Sequence, residues 1–391
     1  MLSQSKKYIA VLITLALILT GIVFGTDITK STTQTTEQQL AKEPTDTPTA
    51  NIKLDSSDTH SAEVLAEIAL INADIGVATG PSPEKTELEI IRDSIDWSDA
   101  PSPAPELVKT DDYDVFINVT SEYLMYVFDK VGFTGENLDS GETVAIPPLI
   151  VVSISKGWAD DQTVQFKKNI FYRVILALLL YENEDILRER EELLTILEAA
   201  AEGGSFSAEQ SNKLHQLAYS YRVIKEDSKE PLTEEQIQEL LKRVDMVPPS
   251  LGLAQAAHES GYATSRFAHT GNALFGQWDW SAKAIKPKQQ RKGMGNYGIK
   301  SFDQPVDSVR SYYWNLNTHR SYAMFRTQRA IQRGQQRGRV VLDGEKLAGT
   351  LTSYSERGKE YTEELKSTIR FNRLERADKL RLMEGKAVYF N

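Results

Sequence analysis

The chain has 391 residues, of which 26% are charged, carries a net charge of −10 and contains no cysteine. That length is sufficient for two domains and a sizeable core. Without cysteine there is no disulfide, thiol nucleophile, cysteine-based zinc site or lipid anchor through a cysteine, although the chain tolerates an oxidising compartment.

Residues 1–25 open with Lys6 and Lys7, followed by an uncharged apolar run from Tyr8 to Phe24. The run exceeds the roughly 7–15 residues of a signal-peptide core, falls just short of the ~20 of a relaxed membrane span, and is followed by no A-x-A site. The expectation is an uncleaved anchor in the inner membrane facing the periplasm, or a periplasmic protein if the segment is cleaved. The lysines stay cytoplasmic, so the rest of the chain lies outside the inner membrane. Residues 26–110 contain STTQTTEQQ, EPTDTPTA, GPSPEK and DAPSPAPEL. This composition buries little, and it reads as a flexible acidic linker with one short helix over Ser61–Ile71.

Residues 111–230 predict a helical subdomain. Apolar periodicity starts near Tyr113 and holds through Val127, and Lys168–Arg190 predicts a core helix that buries Ile170, Val174, Leu178 and Tyr181. Ile186, Arg190, Leu193, Leu197 and Ala201 continue a helical stripe as far as Gly203-Gly204. Ser207 with Gln210 and Thr233 with Gln236 are capping boxes, each opening a further helix.

Residues 231–391 carry the chemistry. PPSLGLAQAAHESG, over 248–261, predicts a short helix entered through two prolines and stopped by Gly261, with Glu259 in its last turn. Gly252, Gln255 and Glu259 form a stripe beside the apolar face of Leu253, Ala256 and Ala257. Partial desolvation and the negative end of the helix dipole both favour the protonated carboxyl, as a general acid near neutral pH requires. His258-Glu259 opens an H-E-x-x-H zinc pattern that fails at Tyr262, so neither a metal nor a cofactor is expected. Downstream, Tyr262, Phe267, Phe275, Trp278 and Trp280 offer stacking faces for sugar rings, and Asn272 and Gln277 offer hydrogen bonds for hydroxyls.

This stretch, AQAAHESGYATSRFA followed by NALFGQW, resembles the glucosaminidase domain of bacterial cell-wall hydrolases, glycoside hydrolase family seventy-three, whose motif is AQAxxESGxGxSxxA…NLFG. The resemblance runs from about Tyr113 to the C terminus. It implies a mainly α architecture: a lysozyme-like α+β catalytic domain with a small β flap, preceded by the helical subdomain. It further implies that Glu259 protonates the glycosidic oxygen of N-acetylglucosaminyl linkages in peptidoglycan glycan strands. Substrate contacts are expected from Gln255, Tyr262, Asn272, Phe275, Trp278 and Tyr297.

Residues 281–302 contain Gly293, Gly295 and Gly298 and predict the flap as a hairpin. The family often places a second carboxylate there, but this segment contains no Asp or Glu. The nearest substitutes are Asp279, Asp303 and Asp307, the last facing away in the first turn of a helix that follows Pro305. The base therefore stays open between a water activated by Asp279 and attack by the substrate's own acetamido group. Residues 281–340 hold thirteen Lys or Arg against two acids, with Arg329, Arg333, Arg337 and Arg339 close together. Nucleic acid is the first polyanion to consider for such a patch. Export excludes it and leaves the carboxylates of the cell wall, with a merely solvated basic face as an equal reading.

LTSYSERGKEYTEELKSTI resembles the family's closing motif, YATDPxYAxKLxxII, which implies Tyr354 in the cleft and Tyr361, Leu365 and Ile369 packed along a helix. Two alternatives to a glycosidase stand beside it. One is an amidase that cuts between sugar and peptide, and the other is a non-catalytic cell-wall-binding module that uses the aromatic loop and the basic patch.

Overall fold

A computed structural model describes residues 94–391, apart from 110–113, 135–144, 204, 227, 229, 291–294, 335 and 384–386. The apolar segment 8–24, the helix expected at 61–71 and most of the linker lie outside the described residues. Among the described residues no helix is long and apolar enough to cross a membrane.

Ordered structure begins inside the stretch read as linker. Strand β1 (Glu106–Lys109) pairs antiparallel with β2 (Asp114–Ile117), and Asp99 accepts a 2.6 Å hydrogen bond from Tyr126 on helix α1 (Ser121–Lys130). The helical periodicity expected from Tyr113 is thus a strand first, and it becomes a helix only where the Thr120 side chain accepts from the Tyr123 amide. Strands β3 (Ala145–Ile146) and β4 (Leu149–Val151) follow.

Helix α2 (Val164–Gly203) runs for 40 residues without a break, joining the helix expected over Lys168–Arg190 to the stripe expected as far as Gly203. Leu176, Leu178, Leu179 and Leu180 are all buried, so this stretch is enclosed on every side rather than along one stripe, and Val174 and Tyr181 are only half-buried. Fully burying each leucine contributes on the order of 1.5–3 kcal/mol. Its C-terminal half packs Leu193 and Leu197 against Leu214 and Leu217 of α3 (Ala208–Ser220) and Ile237 and Leu240 of α4 (Glu234–Arg243). Both capping boxes are present, with Gln210 returning to the Ser207 amide at 2.8 Å and Gln236 to the Thr233 amide at 2.8 Å.

Helix α5 (Pro249–Ser260) crosses α2 at Gly252, where a Cβ would meet Leu179 Cδ2 at 2.7 Å. A glycine there lets the two backbones approach closely. The α5 entrance has no side-chain cap of its own; Asp378 supplies it from across the fold, accepting from the Ser250 amide at 2.8 Å and its hydroxyl at 2.7 Å. Helices α6 (Arg266–Gly271), α7 (Pro305–Thr318), α8 (Ala323–Arg333), α9 (Gly344–Ala348) and α10 (Lys359–Phe371) complete the C-terminal half. Strand β5 (Trp278–Asp279) pairs antiparallel with β6 (Gly298–Ile299), which builds the expected flap as a small hairpin.

The halves are stitched by the C terminus. Strand β7 (Arg381–Leu382) pairs with β3, and β8 (Val388–Phe390) lies parallel between β2 and β4 in a sheet ordered β1-β2-β8-β4. The last residues of the segment 231–391 therefore belong to the N-terminal half.

The clustered arginines do not form an open polyanion surface. Arg326, Arg329 and Arg333 on α8 are buried, and Arg329 donates to the carbonyl of Lys242 in the last turn of α4 and to those of Asp245 and Met246 just past it. Arg333 holds the Asp245 carboxylate through two of its nitrogens, Arg337 bonds Glu191 and Glu198, and Arg339 bonds Glu184 at 2.7 Å. Burial pushes the Asp245 carboxyl up, but Arg190, Arg329 and Arg333 outweigh it and leave it below the usual carboxylate value. Arg333, Arg337 and Arg339 thus neutralise acids of α2 and of the loop after α4.

Candidate active site

Glu259 stands in the last turn of α5, one residue before its end, where Gly261 takes the left-handed conformation at φ 58°. Its carboxyl is half-buried. Burial raises its pKa, and a hydrogen bond from Tyr361 and the charge of Arg357 offset this only in part. The Tyr361 hydroxyl donates to Glu259 Oε1 at 2.9 Å. The other oxygen faces the backbone of the NALFGQW loop, since a Cβ on Gly276 would lie 2.9 Å from Oε2. A half-buried carboxyl whose pKa is raised by burial, with one oxygen bonded by Tyr361 and the other turned to the loop, is suited to general acid catalysis.

Behind Glu259 lies an aromatic box. Tyr354 stacks parallel to Tyr361, with rings 5.7 Å apart, and Phe275 stacks on Tyr312 at 3.9 Å. Two expected substrate contacts are therefore part of this wall. Phe275 is buried against Tyr312 and offers no face to a sugar. Gln255 is wholly buried, accepting from the Tyr312 hydroxyl at 2.6 Å and donating to the Tyr361 oxygen at 3.0 Å. Tyr354, expected in the cleft, stacks on Tyr361, and its hydroxyl donates to the Phe275 carbonyl at 3.1 Å and ties the loop down.

Two further expected contacts face elsewhere. Tyr262 follows the α5 cap at φ 58° and packs edge-on against Phe171 and Tyr172 of α2. Asn272 caps α6 in the left-handed region, and its amide clamps the carbonyls of Phe302 and Asp303 at 3.2 and 2.7 Å. Both fix the loop.

On the flap, Trp278 and Trp280 are 41% and 58% exposed, which makes them the stacking surface available to a glycan. Tyr297 is buried beneath Trp278, with rings 5.4 Å apart, and acts as its support. Asp279 lies between the two tryptophans, and Ser281 donates to it through both its amide at 2.8 Å and its hydroxyl at 2.6 Å. That local turn engages both carboxylate oxygens. Asp307 closes a capping box on the Gln304 amide and pairs with Arg310.

Tyr361 and Tyr312 are the residues that sequence reading placed in the core or passed over. The available signal for Tyr361 was the second tyrosine of the closing motif; Tyr312 had none, because its role appears only when α7 meets α5. His258, next to the carboxyl, points outward to Thr368 at 2.8 Å.

The profile of the Glucosaminidase family, described as mannosyl-glycoprotein endo-beta-N-acetylglucosaminidase, matches residues 234–374. Over 196 residues, half of this chain, the sequence is 30% identical to Protein bax of Escherichia coli strain K12 and covers 66% of that protein's length, slightly under two thirds. No solved structure matches the chain.

Proposed function

We propose, from the match of residues 234–374 to the glucosaminidase family, that the chain is an exported peptidoglycan hydrolase that cleaves N-acetylglucosaminyl glycosidic bonds with Glu259 as general acid. The observation that carries this reading is the half-buried Glu259 carboxyl, raised in pKa by burial and bonded by Tyr361, inside the family-matched segment. The exposed Trp278 and Trp280 supply the sugar-stacking surface. The apolar segment 8–24, outside the described residues, anchors the protein in the inner membrane in this reading, or directs it to the periplasm if cleaved.

Glu259 protonates the leaving oxygen. Ser281 donates to both Asp279 oxygens and holds that carboxylate in a local turn, which supports assigning attack at the anomeric carbon to the acetamido group of the substrate in this reading. An amidase needs zinc ligands that the H-E-x-x-Y sequence does not supply. Mass spectrometry of digested peptidoglycan tests the proposal. New reducing-end N-acetylglucosamine supports it, free stem peptides favour an amidase, and unchanged muropeptides favour a wall-binding module.

A further inference from the structure

The proton that Glu259 delivers has to sit on one of two oxygens, and the hydrogen-bond chain behind the carboxyl selects which. The Tyr312 hydroxyl is wholly buried, so its proton needs an acceptor, and Gln255 Oε1 stands 2.6 Å away. With Oε1 accepting, the other end of the same amide is a donor, and it meets the Tyr361 oxygen at 3.0 Å. Tyr361 is thereby an acceptor from Gln255, and its single proton goes to Glu259 Oε1 at 2.9 Å. Turning the amide over reverses each step: Tyr312 loses its acceptor, Tyr361 donates backwards to the amide oxygen, and Glu259 loses its donor.

We propose that Tyr312 and Gln255 are positioning residues for the catalytic acid: acting through Tyr361 they occupy Oε1 and leave the transferable proton on Oε2, the oxygen that faces Gly276. The proposal rests on the glycosidase reading. In the transfer the Oε2–H bond breaks and leaves its electron pair on the carboxylate. The proton bonds to the glycosidic oxygen, and the anomeric C–O bond breaks with its pair going to that oxygen. The charge that appears on Glu259 meets a hydrogen bond already aimed at it, which strengthens as the carboxylate forms. The other groups facing Glu259 are Arg357 and Tyr354 before α10, Tyr312 on α7 and Tyr322 after it. Arg357 is itself held by Glu364, which also lies near His258.

Tyr312→Phe tests this, because it keeps the ring stacked on Phe275 and removes only the hydroxyl that orients Gln255. Loss of a donor to the carboxylate favours the protonated acid, so the alkaline limb of the kcat/KM profile moves to higher pH, by about half a unit to one unit. Tyr361→Phe moves it further in the same direction, and Gln255→Leu, a second route to the same break, moves it likewise. A merely structural role lowers the melting temperature and activity at every pH and leaves the limb in place. A 13C NMR titration of the Glu259 carboxyl reads the same shift without turnover. An unmoved Glu259 titration in folded Tyr312→Phe and Gln255→Leu overturns the proposal. A shifted titration in a protein that cuts no glycosidic bond supports the proton placement and overturns the glycosidase reading instead.

Discussion

Gly276 leaves the space that the Glu259 carboxyl needs: Gly276 has φ +61°, and a Cβ there would stand 2.9 Å from Glu259 Oε2. The loop carbonyl before it is tied to Tyr354, so the loop has little room to retreat. Gly276→Ala is expected to cost about 1–2 kcal/mol through the left-handed backbone alone. Activity should fall at least ~10-fold, because the methyl displaces the reacting carboxyl. Steady-state kinetics beside a melting curve check this, and near-parental turnover would show that Oε2 does not face the substrate.

Glu259→Gln should fold and bind insoluble wall, yet lose at least ~10²-fold in glycan cleavage, since the amide has no acidic proton to give. Its stability should also change with pH. The folded carboxyl has a raised pKa, so it contributes stability at pH below its unfolded value and loses that contribution as pH rises through the folded value. The variant lacks this term, so its stability relative to the parent should rise with pH. Urea denaturation at a series of pH values measures it, and a flat difference contradicts the assignment.

Asp279→Asn should reduce cleavage of acetylated glycan by less than ~10-fold, the loss expected of a turn rather than of a general base. De-N-acetylated glycan should be a poor substrate for parent and variant alike. Efficient parental turnover of de-N-acetylated glycan, abolished by Asp279→Asn, would return the base role to Asp279.

Asp245→Ala should destabilise the fold by about 3–5 kcal/mol, because it leaves buried Arg329 and Arg333 without their carboxylate. Arg337→Ala, which removes exposed pairs with Glu191 and Glu198, should leave stability close to the parental value, because solvent screens such pairs. Denaturant midpoints compare the two directly. Similar costs would mean that the buried cluster is no more than a set of surface pairs.

Much of the local structure was legible in the chain. The capping boxes at Ser207 and Thr233 and the proline entrance and glycine stop of α5 each depend on residues within one or two turns of one another. Such signals act through backbone conformation and short-range hydrogen bonds, so spacing alone reveals them. The placement of Glu259 at the end of a short helix beside a buried face followed from the same rules.

Tertiary structure alone decided what those residues touch. Gln255 and Phe275 carry side chains suited to a sugar, yet α7 and α10 cover them and turn one into a relay and the other into a wall. The charge excess over 281–340 read as a surface, but α8 turns Arg326, Arg329 and Arg333 inward to carbonyls and carboxylates supplied by distant segments. Strand β8 joins the N-terminal sheet, a pairing for which a run of three residues carries no partner information. The position of Glu259 is a local property of α5. The direction of its hydrogen bonds depends on Tyr312 and Tyr361, 53 and 102 residues downstream of Glu259 in the chain, because only folding brings their hydroxyls within 3 Å of the amide between them.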